Sequence, residues 1–173
     1  YTTLFRSSYA LTLLLDVAVA FVFALSLHLL LAPAGMPSFG HAALFGVGAY
    51  VAALSMHWGL LAALLLAAVG AAVMGLLTAA LTARMSGVYR AMLTLAIAQL
   101  LWSASLEWVG VTGGSNGLTG VWPAAPFEHT RNVLGLALAL CVALSLAAAW
   151  ALRSRWGLQV RALRDSQIGR AHV

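Results

Sequence analysis

Long apolar runs are the feature that most limits what this 173-residue chain can fold into. A helix needs about 20 apolar residues to cross the hydrocarbon core of a bilayer. Five stretches come close to that length, separated by segments rich in glycine, proline or arginine. They are residues 9–31, 38–57, 60–83, 91–109 and 132–152. The sequence therefore predicts an all-α fold, a polytopic transmembrane helical bundle with about five spans. Whether 38–57, which is short and glycine-rich, crosses fully is left open.

The composition agrees with lipid as the solvent. Hydrophobic residues make up 63% of the chain and charged residues 8%, whereas soluble domains carry about 25% charged residues. A soluble core of this size could not bury so much apolar surface, because a short chain leaves much of itself exposed. Most of the surface must therefore face lipid or another helix.

The charged and reactive residues exclude several classes of chemistry. All nine of the Lys and Arg positions are arginine, so these residues contain no Walker-type phosphate loop and no catalytic lysine. The single Cys141 excludes an intrachain disulfide and a thiolate metal cluster. No histidine or carboxylate follows His28 or His41 at helical spacing, and no metal site is predicted.

The arginine positions predict the orientation in the membrane. Arg84 and Arg90 flank the loop between the third and fourth stretches, and four more arginines follow the fifth between residues 153 and 164. The loop 110–131 carries only Arg131. Because cytoplasmic loops are enriched in arginine and lysine, both Arg-rich segments are predicted to be cytoplasmic and loop 110–131 external.

One polar stripe on the fourth stretch is the main candidate for a solute pathway. Gln99, Ser103 and Glu107 recur every four residues and form a line about 12 Å long on one helix face. Polar groups are costly against lipid, so the stripe is expected to face the interior or a water-filled path. For Glu107 a solvated position at the outer interface is an equal alternative. Thr94 is a fourth pathway candidate.

Two further segments carry distinct patterns. The run from Thr112 to Gly117 consists of turn-forming residues, and its aromatic surroundings suggest a packed loop at the interface rather than a flexible connector. Residues 153–165 form an amphipathic pattern with apolar residues on one side. That helix is expected either to lie on lipid headgroups or to dock a partner.

Four segments, in order along the chain, resemble the permease subunits of branched-chain amino-acid ABC transporters (the LivM/LivH type). The first resembles the family's SFGHAAFFGIGAY stretch and the second its G-x-Y…TLAFAQ stretch. The third and fourth resemble its TGGxNGL loop and its SRFGR…RAIRD segment. The matching positions are Ser38, Gly40, His41, Gly46, Gly48 and Tyr50; Gly87, Tyr89, Leu93, Thr94 and Gln99; Thr112, Gly113, Gly114, Asn116 and Gly117; and Arg155, Gly157, Arg161, Arg164 and Asp165.

The resemblance implies a set of partners and a location. Two permease subunits form the pathway, and two cytoplasmic ATPase subunits bind ATP and face the segment from Arg155 to Asp165. A periplasmic solute-binding protein delivers the solute. The chain is then a multi-pass protein of the bacterial inner membrane and a transport subunit rather than an enzyme. It holds no cofactor of its own and binds no nucleic acid. Two positions depart from the family pattern, Met36 in place of glutamine and Arg90 in place of an aromatic residue.

The two ends of the chain are expected to be foreign to it. Residues 1–7 and 168–173 read like a translated sequencing adapter. Residues 8–167 are then expected to be an internal fragment of an ABC-importer permease domain, ending where the ATPase-coupling loop begins.

The sequence leaves one main hypothesis and two rivals. The first is a permease subunit of an ATP-driven importer for branched-chain or related apolar amino acids. The second is a channel or secondary transporter for small polar solutes, such as urea or amides, that needs no ATPase. An intramembrane enzyme is disfavoured, because the four acidic residues lie on different segments and form no catalytic constellation.

Overall fold

Helices make up most of the part of the chain that the protein's computed structural model describes. That part comprises residues 2–31, 35, 38–85, 87–123, 127–155, 157–160 and 162. Its helices are α1 (Thr2–Leu31), α2 (His41–Ser55), α3 (Leu60–Thr82), α4 (Gly87–Glu107), α5 (Val109–Thr112) and α6 (Thr130–Arg153). Two short 3-10 turns, Met56–Trp58 and Gly114–Asn116, complete the order, and no strand occurs in these ranges. The predicted all-α class is confirmed.

Three of these helices are long and apolar enough to cross a membrane. They are Tyr9–Leu31 of α1, the whole of α3 and the whole of α6. Helix α4 qualifies together with the segment Val109–Asn116, but the two are bent by 83°. Helix α2 has 15 residues and is about 22 Å long, shorter than a hydrocarbon core of about 30 Å. Length and hydropathy therefore give three spans, or four with the bent pair, where the sequence predicts about five.

The chain forms two compact units, and the first contains α1 and α6. These helices pack near their midpoints, where the Cys141 thiol donates a hydrogen bond to the Ala18 carbonyl oxygen at 3.5 Å. Leu134, Cys141 and Ala148 are buried and recur every seven residues along α6, which is the spacing of a helix-packing seam. Cys141 therefore faces a helix, and the small Ala18 lets that helix approach closely.

The second unit covers residues 37–128, and α2 and α3 form a hairpin in it. A Cβ atom on Gly48 would lie 3.6 Å from the Ala71 Cβ, and one on Gly70 would lie 3.0 Å from the Val51 Cγ2. Ala63 of α3 is fully buried. The hairpin thus depends on small residues that bring two helices together, as is common between membrane helices.

Several hydroxyl groups within the long helices are bonded to carbonyl oxygens one turn earlier. Thr78 Oγ1 donates to Met74 O at 2.8 Å, and Thr82 Oγ1 donates to Thr78 O at 2.8 Å. In α6, Ser145 Oγ donates to Cys141 O at 2.6 Å. A polar group without a partner is costly in hydrocarbon, so these bonds allow serine and threonine to occur inside apolar helices.

Two glycines of α3 provide a matched test of the α2–α3 contact. We expect Gly70→Val to destabilise the protein by about 1–3 kcal/mol, since the new side chain must displace the stiff Val51. Gly75→Val introduces the same side chain in the same helix where a Cβ has nothing within 4 Å. Thermal unfolding of the purified protein in detergent measures both, and equal midpoints for the two variants would contradict the packing described.

Candidate functional site

The polar stripe lies on the face of α4 that is turned away from α2 and α3. Ala91 and Thr94 are buried and mark the packed face of α4. Gln99, Ser103 and Glu107 have exposed side chains and lie roughly half a turn around the helix from that face, given 3.6 residues per turn. The three predicted pathway residues therefore share one open face within this unit.

Thr94, the fourth pathway candidate, lies on the opposite face and is bonded to the segment just before α2. It is 3% exposed. Its Oγ1 accepts a hydrogen bond from the Phe39 N–H at 3.2 Å and donates one to Ala91 O at 2.9 Å. A Cβ on Gly40 would lie 2.9 Å from the Thr94 carbonyl oxygen. Thr94 and the stripe thus belong to different sides of α4, and the assignment of pathway residues remains a prediction.

The bend after α4 is held by the Thr112 side chain. Its Oγ1 lies 2.6 Å from Ser105 O and 2.9 Å from Trp108 O, and it accepts the Gly114 N–H at 3.3 Å. Thr112 is buried. One hydroxyl thereby connects the last turn of α4, the short α5 and the loop that follows. Of the two alternatives for this segment, the structure favours a packed loop over a flexible connector.

The glycines of this loop are required by its backbone conformation. Gly113, Gly114 and Gly117 have φ angles of 77°, 61° and 67°, a region that side-chain-bearing residues rarely occupy. A Cβ on Gly113 would also overlap the carbonyl oxygen of Gly117. The motif that resembles a family signature is therefore a conformational requirement, while Asn116 has an exposed side chain and is free to meet another molecule.

The residues of the first motif lie in α2 or just before it. His41 is the first residue of the helix. Gly48 faces α3, whereas a Cβ on Gly46 would meet nothing within 4 Å. Ser38, His41 and Tyr50 are partly buried. The structure thus gives a packing reason for Gly40 and Gly48 and none for Gly46.

One of the two departures from the family pattern, Arg90, lies in the described residues. Its side chain is bonded to the turn between α3 and α4. Arg90 Nε and Nη2 donate to Met85 O at 3.1 and 2.7 Å, and Met85 N–H donates to Thr82 O at 3.0 Å. The Arg90 guanidinium group therefore stabilises the turn that precedes α4 by bonding to its backbone. Arg84 is exposed. The other departure, Met36, lies outside the described residues.

The described part of the C-terminal segment folds back on the end of α6. Ser154 N–H donates to Trp150 O at 3.0 Å, and a Cβ on the buried Gly157 would overlap the carbonyl oxygen of Leu152. Arg155 is exposed. Arg161, Arg164 and Asp165 lie outside the described residues, so the predicted partner-facing helix is seen only at its beginning.

The chemistry available on these surfaces is hydrogen bonding and charge attraction. Within the described ranges, no group of three or more His, Cys, Asp or Glu side chains is placed to hold a metal ion. The Gln99 amide and the Ser103 hydroxyl can donate and accept hydrogen bonds, and the Glu107 carboxylate can attract a cationic group.

The sequence did not predict the hydrogen-bond partners of Thr94 and Arg90. Both side chains bond to backbone atoms, and a backbone partner cannot be identified from residue types.

A comparison with known protein families returns one match that spans nearly the whole chain. A family model described as the permease component of a branched-chain amino acid transport system matches residues 9–171. No curated protein and no solved structure matches the chain.

Three glycines in the segment after α4, at residues 110, 113 and 117, differ in how much an alanine should disturb them. We expect Gly113→Ala to be the worst, with a cost of about 1–2 kcal/mol for the positive φ and a further cost for the overlap with Gly117. Gly117→Ala should carry only the cost of the positive φ angle, because a Cβ at this position has no atom within 4 Å. Gly110→Ala should be tolerated, since it has neither problem.

Chymotrypsin cleavage beside the exposed Trp108 and Trp122 measures this order. Cleavage of a folded loop follows the population of its open form, so Gly113→Ala should be cut about tenfold faster than the parent. Equal rates for Gly113→Ala and Gly110→Ala would show that the loop is not held as described.

Proposed function

The chain belongs to the family of branched-chain amino acid transport permease components, and we propose that it is the membrane-spanning subunit of an ATP-driven importer for branched-chain or related apolar amino acids. The observation that carries this proposal is the family match over residues 9–171. The apolar helices, three of them long enough to cross a membrane, support it.

In this proposal the open face of α4 lines the translocation path. The stripe of Gln99, Ser103 and Glu107 is exposed within its unit, and polar groups are costly against lipid. A zwitterionic amino acid needs hydrogen-bonding partners to replace water as it crosses. The amide and hydroxyl meet that need, and the Glu107 carboxylate at the α5 end of the stripe would attract the ammonium group.

ATP hydrolysis belongs to other subunits in this proposal. The residues present include no lysine for a phosphate-binding loop. Two cytoplasmic ATPase subunits would bind ATP and dock on the segment that begins at Arg155, and this chain would hold no cofactor. A second permease subunit would complete the path, and a periplasmic binding protein would deliver the solute to the loop after α4. The location is then the bacterial inner membrane.

Uptake of labelled leucine into membrane vesicles tests the proposal. The complete gene product is expressed with the permease, ATPase and binding-protein genes encoded beside it, and uptake is followed with and without ATP inside the vesicles. We expect uptake that requires both ATP and the ATPase subunits. Uptake that persists without the ATPase would instead identify a channel or secondary transporter, and urea should then be tried as the solute.

Two serines two residues apart on α4 test the role of the stripe. Ser103→Ala and Gln99→Leu should each lower the rate of leucine uptake about two- to tenfold, the effect of losing one hydrogen bond to the solute. Ser105→Ala is the matched control, because the Ser105 hydroxyl is bonded to Trp102 O of its own helix at 2.7 Å and lies off the stripe.

We expect Ser105→Ala to transport at the parent rate. Western blotting of the vesicle membranes checks that all variants are present in equal amounts. An unchanged rate in both Ser103→Ala and Gln99→Leu would remove the stripe from the pathway while leaving the importer proposal intact.

A further inference from the structure

Helix α2 begins at a level that lies partway along α3 and α4 and not at the ends of these helices. Along α4, the contact residue Thr94 lies seven residues after Gly87, which begins the helix. At 1.5 Å per residue this distance is about 10 Å. The first turn of α2 therefore meets α4 well within its length.

The packing of α2 on α3 gives an independent measure of the same depth. Gly48 faces Ala67 and Ala71, and a short turn at Met56–Trp58 makes the two helices antiparallel neighbours. Since α2 begins seven residues before Gly48, its first residue lies opposite residue 76 or so of α3. Helix α3 continues from there to Thr82, a further distance of about 9 Å.

We infer that α2 is a half-span that begins inside the bilayer, and that Thr94 is the positioning residue that holds its first turn at that depth. Helix α3 is long and apolar enough to cross the membrane, so a point about 10 Å from its end lies in hydrocarbon if its ends reach the two surfaces. The 15 residues of α2 then reach the opposite surface but not both.

A helix that begins at this depth needs partners for its first backbone N–H groups. Hydrocarbon offers no water, and each unpaired group costs several kcal/mol there. The same holds for the backbone that leads into the helix, where the Thr94 hydroxyl accepts the N–H of Phe39, two residues before His41. Valine has the same shape as threonine but no acceptor, whereas serine keeps the acceptor. The identity of residue 94 is therefore explained by the start of α2.

Gly40 makes the same contact possible from the side of α2. Its Cβ position lies 2.9 Å from the Thr94 carbonyl oxygen, a distance at which backbone atoms must move. Gly40 thus allows the start of α2 to come close to α4, and the Thr94 hydroxyl forms the hydrogen bond between them. The two residues act on one junction, which we call the α2–α4 junction.

The junction also connects α2 to the polar stripe, a consequence that rests on the proposed function. Thr94 and the stripe lie on opposite faces of one helix, so α4 cannot turn its stripe without moving the start of α2. We therefore expect the two helices to move as one body during transport.

Thiol labelling measures the depth of the junction without depending on transport. Phe39→Cys places a thiol on an exposed side chain at the start of α2, and Met85→Cys places one on an exposed side chain in the α3–α4 turn. Both are made in a Cys141→Ser background of the complete gene product, in open membranes treated with a charged, membrane-impermeant maleimide. Maleimide reacts with the thiolate, which is disfavoured away from water. We expect Phe39→Cys to react at least about tenfold more slowly than Met85→Cys.

Adding Thr94→Val should raise the labelling rate of Phe39→Cys severalfold, because the start of α2 is released, whereas Thr94→Ser should leave the rate unchanged. Gly40→Ala disturbs the junction from the side of α2 and should raise the labelling rate as Thr94→Val does. It replaces Thr94→Val in the test if that variant fails to accumulate in the membrane. A Ser115→Cys reporter in the external loop should label at the parent rate throughout, which separates local release from general unfolding.

Two results would overturn the inference. Equal labelling of Phe39→Cys and Met85→Cys in the parent would place the start of α2 at the surface. An unchanged rate for Phe39→Cys in both Thr94→Val and Gly40→Ala would show that the junction does not position α2. Leucine uptake is recorded in parallel, and its absence from the parent would count against the proposed function alone, since the labelling rates are read without it.

Discussion

The absence of water from the bilayer interior is the constraint on which the rest of this structure depends. Several hydroxyl groups in the long helices, such as those of Thr78 and Thr82, are bonded to carbonyl oxygens of their own helix. Where the helical pattern is interrupted, a threonine side chain supplies the bond instead. Thr94 does so at the start of α2 and Thr112 at the bend after α4. Both are buried, as a bond that replaces water must be.

Glycine serves two separate purposes in this chain. Gly40 and Gly70 lie where another helix approaches so closely that a Cβ would be crowded, and both have ordinary helical or turn backbone. Gly113 and Gly117 have positive φ angles and shape the loop after α4. In the loop motif, three of the five matching positions (Gly113, Gly114 and Gly117) are thus ones where the backbone itself favours glycine. The side chains left to meet a solute or a partner are fewer, and those on α4 lie on its open face.

Helix α4 carries both a packed face and the candidate solute-binding face of its unit. One face carries Ala91 and Thr94 against the rest of the unit, and the other carries the stripe that begins at Gln99. A helix with two such faces can be held firmly on one side while it offers polar groups on the other. Membership in a transport permease family is the basis of the function proposed, and the open face of α4 is the place we propose for the solute path.

The sequence by itself determined the class of the protein, because the length of the apolar runs and the absence of lysine are read directly from its residues. It predicted the stripe as well, since Gln99, Ser103 and Glu107 share a face through helical periodicity. Only the tertiary structure decided that α2 is short, that Thr94 faces α2 rather than the stripe, and that the chain bends after Glu107. Hydropathy reports how apolar a segment is, and it does not report depth or bending. Those depend on bonds between distant residues and backbone atoms, such as Thr94 with Phe39 and Thr112 with Ser105.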